Sequence, residues 1–247
     1  QDPEMVREVV AAVCAAVDIP VIPKLTPNVD DIAVIGRAAL EAGASALCAI
    51  NTAGPGYTES HGYPVLSNRM GGMSGKGVLP ATLKALKTLR ANTDVPLIGC
   101  GGLSSAADCR DAIHCGATIV GIGSGLTGMS TEEVQHYFAD LAKDLSEGGD
   151  AAGQQVRFDL DMSFKPYRVV TNDIVCDDIT VVTLDGDLDI QAGEYVFVWV
   201  PGVGEKPFSC LTHNPVRLAV INVGQFTDHC YQVSPGDAVY LRGPHGV

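Results

Sequence analysis

Basic residues are scarce. The 247-residue chain carries 16 Lys and Arg against 29 Asp and Glu, a formal net charge of −13 at pH 7. So acidic a chain is a poor partner for nucleic acid or an anionic membrane surface, and the excess acid serves solubility. No apolar run is long enough to span a bilayer, and no signal peptide opens the chain. The 8 cysteines form no C-x-x-C pair, and neither they nor the 6 histidines show zinc spacing, so no metal ligand is expected. Nor do the cysteines suggest a disulfide framework: Cys14, Cys48 and Cys100 sit in apolar runs as small hydrophobes, which predicts a reducing, cytoplasmic location. The chain lacks an initial Met, opens on Gln1 and stops at Gly-Pro-His-Gly-Val, so both ends read as cut from a longer protein.

What is present suffices for a sizeable core: 46% of residues are hydrophobic and 18% charged. The stretch from 46 to 76 organises the rest. An apolar run, Ala46 to Ile50, ends in Asn51 and Thr52. A long loop rich in Gly and Pro follows and closes on Gly71-Gly72-Met73-Ser74-Gly75. That order reads as a buried strand delivering side chains to a ligand, then a loop that clasps it.

Strand and helix signals alternate on either side. Val6, Val9, Val10, Val13 and Val17 have helical spacing, and Pro20 stops that helix. Val21 to Leu25 reads as a strand, with a helix from Asp30 or Asp31 to Leu40. A helix from Pro80 to Arg90, a strand from Pro96 to Cys100, a helix to Cys115, a strand from Thr118 to Ile122 and a helix from Thr131 to Leu145 complete four strand–helix units. Such alternation predicts a parallel sheet with helices outside. Lys24, Asn51-Thr52, Gly101-Gly102 and Gly123-Ser124 all fall at the C-terminal tips of strands, where β/α barrels build active sites and phosphate sites.

Residues 149–164 change to Gly, Ala, Gln and acid, and read as a linker between a domain at 1–148 and a second at 165–247. Beyond it the period becomes that of strands: Pro166 to Val170, Ile179 to Leu184, Tyr195 to Val200, Val216 to Val223 and Ala238 to Leu241, punctuated by Gly and Pro. This predicts an antiparallel sandwich or barrel with Trp199 in its core.

With these residues in hand, the first part resembles the C-terminal half of an NAD-linked, FMN-containing dihydroorotate dehydrogenase. The matching pieces are Lys24-Leu25-Thr26-Pro27-Asn28, Ile50-Asn51-Thr52, Pro64 to Asn68, Gly71 to Gly75, Ile98 to Gly102 and Gly121 to Ser124. The second part resembles the FAD-binding barrel of that enzyme's electron-transfer subunit, a ferredoxin-reductase relative, through Gly193 to Pro201, Glu205 to Ser209 and Gly243 to Gly246. The resemblance implies half of a TIM-type (β/α)8 barrel followed by an antiparallel β-barrel, a fusion of catalytic and electron-transfer parts.

It also implies roles. Lys24 would contact the FMN ring and Ile50 its edge through the backbone. Asn51 and Thr52 would hydrogen-bond dihydroorotate or orotate. Gly75, Gly101, Gly102, Gly123 and Ser124 would cradle FMN. Lys206, Pro207, Phe208 and Ser209 would grip FAD, with Thr227 in a further flavin-contacting segment. A base takes a proton from C5 and a hydride leaves C6 for FMN, in pyrimidine biosynthesis; electrons pass by an iron–sulfur cluster and FAD to NAD, both cluster and NAD being expected outside this chain. The family's base is a cysteine in the absent half, so the fragment is not expected to turn over alone, and Cys100 reads as strand packing. Lys206 stands for an arginine, Phe226 for a glycine and Lys76 for a common proline. A homo-oligomer formed through the barrel domain is implied. A dihydropyrimidine dehydrogenase-like flavoenzyme and a non-catalytic flavin-binding module are the alternatives.

Overall fold

The structure, a computed structural model, describes residues 2–149 and 161–246. The predicted linker at 149–164 therefore lies mostly outside the described residues. Contacts divide the chain into two units, Gln1–Pro55 with Gly72–Phe158 and Gly56–Gly71 with Asp159–Val247. No helix among the described residues is long and apolar enough to cross a membrane.

In the first unit, α1 (Pro3–Ala16), β1 (Lys24–Leu25), α2 (Ile32–Glu41) and β2 (Leu47–Ala49) follow one another, and α3 (Leu79–Arg90) succeeds the long loop. The strand Leu97–Cys100, helix Ala106–His114, strand Ile119–Gly121 and helix Thr131–Glu147 complete it. The loop contains β3 (Ala53–Tyr57), β4 (Glu59–Ser60), β5 (Tyr63–Pro64) and β6 (Met70–Met73), so the later two strands are β7 and β8 and the later two helices α4 and α5. Strand pairing in the loop was not legible in the sequence, because Gly and Pro mask its alternation.

Caps fix the helix starts. Asp2, Asp31 and Ser105 each accept amide hydrogens from the first turn, and Ser130 with Glu133 forms a capping box. The parallel sheet runs β1-β2-β7-β8. Its register aligns Lys24 with Cys48, Cys48 with Ile98 and Ile98 with Ile119. One residue along, Leu25, Ala49, Gly99 and Val120 align on the opposite face. That second face is buried with Leu47, Leu86, Leu89 and Leu97 under the helices. A methyl at Gly99 would touch Leu86 of α3 and Ala112 of α4. The Lys24–Ile119 face is open: Ile119 is 55% exposed. In α1 only Val10 is buried, while Met5, Val9 and Val13, with Val17 just past its end, stay exposed, because within this unit α1 packs chiefly beside α2.

The second unit holds β9 (Lys165–Cys176), β10 (Ile179–Leu184), β11 (Tyr195–Val200), β12 (Gly204–Phe208), β13 (Cys210–His213), β14 (Val216–Ile221), α6 (Gln225–Tyr231) and β15 (Ala238–His245). They form one antiparallel sheet in the order β12-β11-β15-β9-β10-β14-β13. Its core is Val182, Leu184, Val196, Val198, Leu218 and Val220, with a satellite of Val65, Phe164 and Trp199. The strand signal from Pro166 to Val170 is exceeded by β9, which continues to Cys176, and β12, β13 and α6 carry no comparable signal in the sequence. Pro207 disguised β12, yet the position is permitted, since β12 is an edge strand.

Candidate functional site

Strand tips in the first unit come together through backbone bonds. The Asn51 amide donates to the Leu25 carbonyl at 2.7 Å, and the Ile50 amide to the Cys100 carbonyl at 2.6 Å. These two bonds bind the tip of β2 to those of β1 and β7. Lys24 is exposed and its Nζ lies 3.6 Å from Cys100 Sγ. Ile50 is buried, whereas Asn51 and Thr52 project exposed from the sheet end.

Asn28 anchors the Asn51-Thr52 tip. Its Nδ2 donates to the Thr52 carbonyl at 3.3 Å and its Oδ1 accepts from the Gly54 amide at 2.9 Å. Gly72 approaches Thr52 from the loop so closely that a β-carbon there would collide with its Oγ1.

Gly75, Gly101 and Gly102 have φ of +85°, +121° and +77°, the left-handed side where glycine is favoured. A β-carbon at Gly102 would meet the Leu79 amide nitrogen at 2.6 Å and the Gly75 carbonyl oxygen at 2.9 Å. One at Gly101 would meet Thr82 Oγ1 at 2.7 Å and Ile50 Cγ1 at 3.1 Å, and one at Gly75 would lie 4.0 Å from Ser124 Oγ. Gly75, Gly101, Gly102, Ile50 and Ser124 are thus near neighbours. Gly123 and Ser124 are exposed at the end of β8, and a β-carbon at Gly123 would meet nothing within 4 Å.

Two residues that the sequence left unassigned, Thr82 and Asp108, hold this cradle. The buried Thr82 hydroxyl donates to the Gly101 carbonyl at 2.8 Å. Asp108 accepts from the Ser104 amide at 3.0 Å and pairs with Lys76 Nζ, so it ties the 101–105 turn to the segment after Gly75. Burial alone would raise the Asp108 carboxyl. The Lys76 ammonium and the Ser104 amide outweigh that and hold it below its ordinary range. At Cys100, in β7, a hydrogen bond with Cys48, working against burial and joined by the Lys24 charge, lowers the thiol to about 6. The same bond, burial and the Cys100 charge push the Cys48 thiol up.

In the second unit Lys206, Pro207 and Phe208 line a cavity of about 650 Å³ together with Ala219, Ile221 and Thr227. Ser209, just past the end of β12, does not join them; it lines a separate cavity of about 240 Å³ with Cys210 and residues 190–194. The Thr227 hydroxyl accepts from the Val223 and Gly224 amides and closes its own turn. Phe226 is buried and stacks at a tilt on Phe208, with ring centroids 6.1 Å apart. Among the described residues no group of three His, Cys, Asp or Glu could hold a metal ion.

Residues 1–145 match a family model described as "Dihydroorotate dehydrogenase". The chain is 48% identical over 126 residues to the dihydroorotate dehydrogenase B (NAD(+)) catalytic subunit of Methanocella arvoryzae, covering 51% of this chain and 42% of that one. It is 47% identical over 126 residues to the subunit of the same name in Methanosarcina mazei, covering 51% and 40%. For that of Thermococcus kodakarensis the figures are 38% over 157 residues, 63% and 52%. The chain thus spans about two-fifths to one half of these curated relatives. Among solved structures, the cytochrome b5 reductase domain of Ulva prolifera nitrate reductase aligns with 34% of this chain and 40% of its own, at 16% identity and a TM-score of 0.31, too low a likeness to assign a fold.

Proposed function

The chain belongs to the dihydroorotate dehydrogenase family, and from that premise we propose that its parent protein oxidises dihydroorotate to orotate in pyrimidine biosynthesis. This chain would supply one side of the FMN and substrate site, and a second body that holds FAD. The observation that carries the reading is the convergence of Lys24, Ile50, Gly75, Gly101, Gly102 and Ser124 in one unit.

FMN requires a cation near the pyrimidine end of its ring, backbone without side chains against which to lie, and amide donors for its phosphate. The residues fit. Lys24 is an exposed cation on the open face, and side chains at Gly101 and Gly102 would have no room. Bound FMN would supply the acceptor for a hydride from C6 of the substrate. Lys24 would hold positive charge beside the ring positions that become electron-rich. The bare Gly75, Gly102 and Gly123 backbone and the Ser124 turn would face the phosphate. Asn51 and Thr52, the latter held by Asn28 and Gly72, would hydrogen-bond the alternating C=O and N–H groups of the pyrimidine. The base that removes the C5 proton is assigned to no residue of this chain.

The open sheet face and exposed α1 stripe support the finer fold reading. Parallel sheets are ordinarily covered on both faces, so these four strands would be half of a (β/α)8 barrel. For FAD, the 650 Å³ cavity with Phe208, Ile221 and the cation of Lys206 suits a flat flavin and an anionic phosphate. We read the second unit as a ferredoxin-reductase-type barrel serving NAD-linked electron transfer. The iron–sulfur cluster and NAD are assigned to no residue here.

The test is flavin extraction from the full-length parent, with chromatography to separate FMN from FAD, and an assay of dihydroorotate against dihydrouracil. Both flavins and a preference for dihydroorotate are expected. A protein lacking FMN, or one that prefers dihydrouracil, would overturn the reading.

A further inference from the structure

The loop between β3 and β6 has a fold of its own. Glu59 pairs with Pro64 and Ser60 with Tyr63, so β4 and β5 form a hairpin closed by His61 and Gly62. Both turn residues have positive φ, +49° and +79°, as a two-residue turn matched to the twist of its strands requires. The hairpin groups with the second unit. Val65, just past it, is buried in a cluster with Phe164 and Trp199. His61 Nε2 lies 3.1 Å from the Phe164 carbonyl, and a carbonyl only accepts, so the ring donates there. The same ring lies against Tyr240, with centroids 4.8 Å apart.

This anchor delivers Ser67, two residues beyond Val65, to the 650 Å³ cavity. Ser67 packs directly on Gly204: a β-carbon built there would meet Ser67 Cβ at 3.0 Å and Oγ at 3.3 Å. Gly204 has φ of +131°, a conformation that also favours glycine. We propose that the loop forms a wall of the FAD cavity and that the Ser67 hydroxyl hydrogen-bonds the bound cofactor. The inference rests on the reading of that cavity as the FAD site.

The polar side chains of the cavity divide into committed and free. Glu205 is paired with Arg242 at 2.9 Å, and Thr227 is spent on its own turn. Ser67, Lys206 and Gln225 are the remaining polar side chains on the wall. A cation suits the phosphates of FAD, whereas a neutral hydroxyl, which both donates and accepts, suits the ring carbonyls and the ribityl hydroxyls. The mooring and the cavity also share a support. Arg242 lies over the Phe164 ring at 4.9 Å and the Phe197 ring at 5.0 Å, so the cation that holds Glu205 beside the cavity also steadies the aromatic floor under Val65.

The test is titration of the flavin-stripped, full-length parent with FAD, followed by quenching of the cofactor's fluorescence. Ser67 is exposed, so its substitution leaves the core alone. Ser67→Ala should weaken FAD about fivefold, as the loss of one hydrogen bond does. Ser67→Phe, which would fill the cavity beside Gly204, should weaken it by about tenfold or more. Val65→Asp would set a carboxylate against Phe164 and Trp199 and release the loop. It should speed tryptic cleavage after the exposed Arg69, read by peptide mapping, and weaken FAD as much as Ser67→Phe. A parent that binds FAD, with either Ser67 variant binding it equally well, would overturn the proposal and leave the cavity's assignment standing. So would a Val65→Asp variant that opens Arg69 to trypsin yet keeps its FAD affinity. A parent that takes up no FAD would end the flavin reading of the cavity, and the proposal with it.

Discussion

A β-carbon built onto Gly72 would stand 1.9 Å from Oγ1 of Thr52 and 2.4 Å from its Cβ. Asn28 holds the same residue through its 3.3 Å bond to the Thr52 carbonyl. Thr52 is therefore clamped, and Gly72→Ala must displace it. In the parent enzyme we expect the KM for dihydroorotate to rise about tenfold, or ~1.4 kcal/mol, with FMN content unchanged. Steady-state kinetics measure this, and an unaltered KM would remove Thr52 from the substrate contacts.

Gly102 and Gly123 separate folding from binding. Gly102 is buried with φ of +77°, and its missing side chain leaves room for the Leu79 amide and Gly75 carbonyl. Gly102→Ala should cost about 1–3 kcal/mol in urea unfolding and abolish FMN retention. Gly123 has φ of −125° and open space where its β-carbon would lie. Gly123→Ala should unfold like the parent yet hold FMN less tightly, because the added methyl would meet only the ligand. Equal FMN affinity in that variant would move the phosphate elsewhere.

The strand tips were legible because each unit repeats one order: an apolar run, then a polar or glycine tip, then a capped helix. Lys24, Asn51, Gly101 and Gly123 stand out in that rhythm, and parallel pairing draws the first three to one end of the sheet, where the Asn51 amide donates to the Leu25 carbonyl and the Ile50 amide to the Cys100 carbonyl. Supporting contacts were not legible. Thr82 looks like any helical threonine until the fold sets it under Gly101, 19 residues away. Asp108 reads as an ordinary residue of the first turn, and only the turn at 101–105 brings Lys76 to it. In the second unit Ser209 is contiguous with Lys206 to Phe208 in the sequence, but β12 ends at Phe208 and Ser209 lines the neighbouring cavity beside Cys210.

Asp108 makes the first unit sensitive to acid. Its carboxyl titrates below the ordinary carboxylate range in the folded chain, so the Lys76 and Ser104 bonds stabilise the fold above that range. The contribution should fade as pH falls from about 4 through the folded-state value. Asp108→Asn keeps the shape and removes the charge. We expect it to lower stability by about 1–3 kcal/mol at pH 7, and to flatten the dependence of the urea midpoint on pH in acid. A variant with the parent's acid slope would assign that slope to other carboxylates.

Flavin and Cys100 compete for the same lysine. Lys24 Nζ lies 3.6 Å from the Cys100 thiol, and on our reading it faces the FMN ring when the cofactor is bound. The ring would then cover the open face and draw the ammonium charge from the thiol. Two effects follow in the full-length parent. FMN should slow iodoacetamide alkylation of Cys100 by about tenfold or more, and should raise the pH at which the thiol becomes reactive, since a weaker ammonium contact favours the neutral form. Cys176, exposed in the other unit, should react at the same rate with and without the cofactor, which controls for reagent loss. Peptide mapping of apo and FMN-loaded protein across pH 5 to 9 would measure both effects. If FMN left Cys100 as reactive as before while remaining bound, Lys24 would not lie at the flavin, and the cofactor would have to sit on a different face of the sheet.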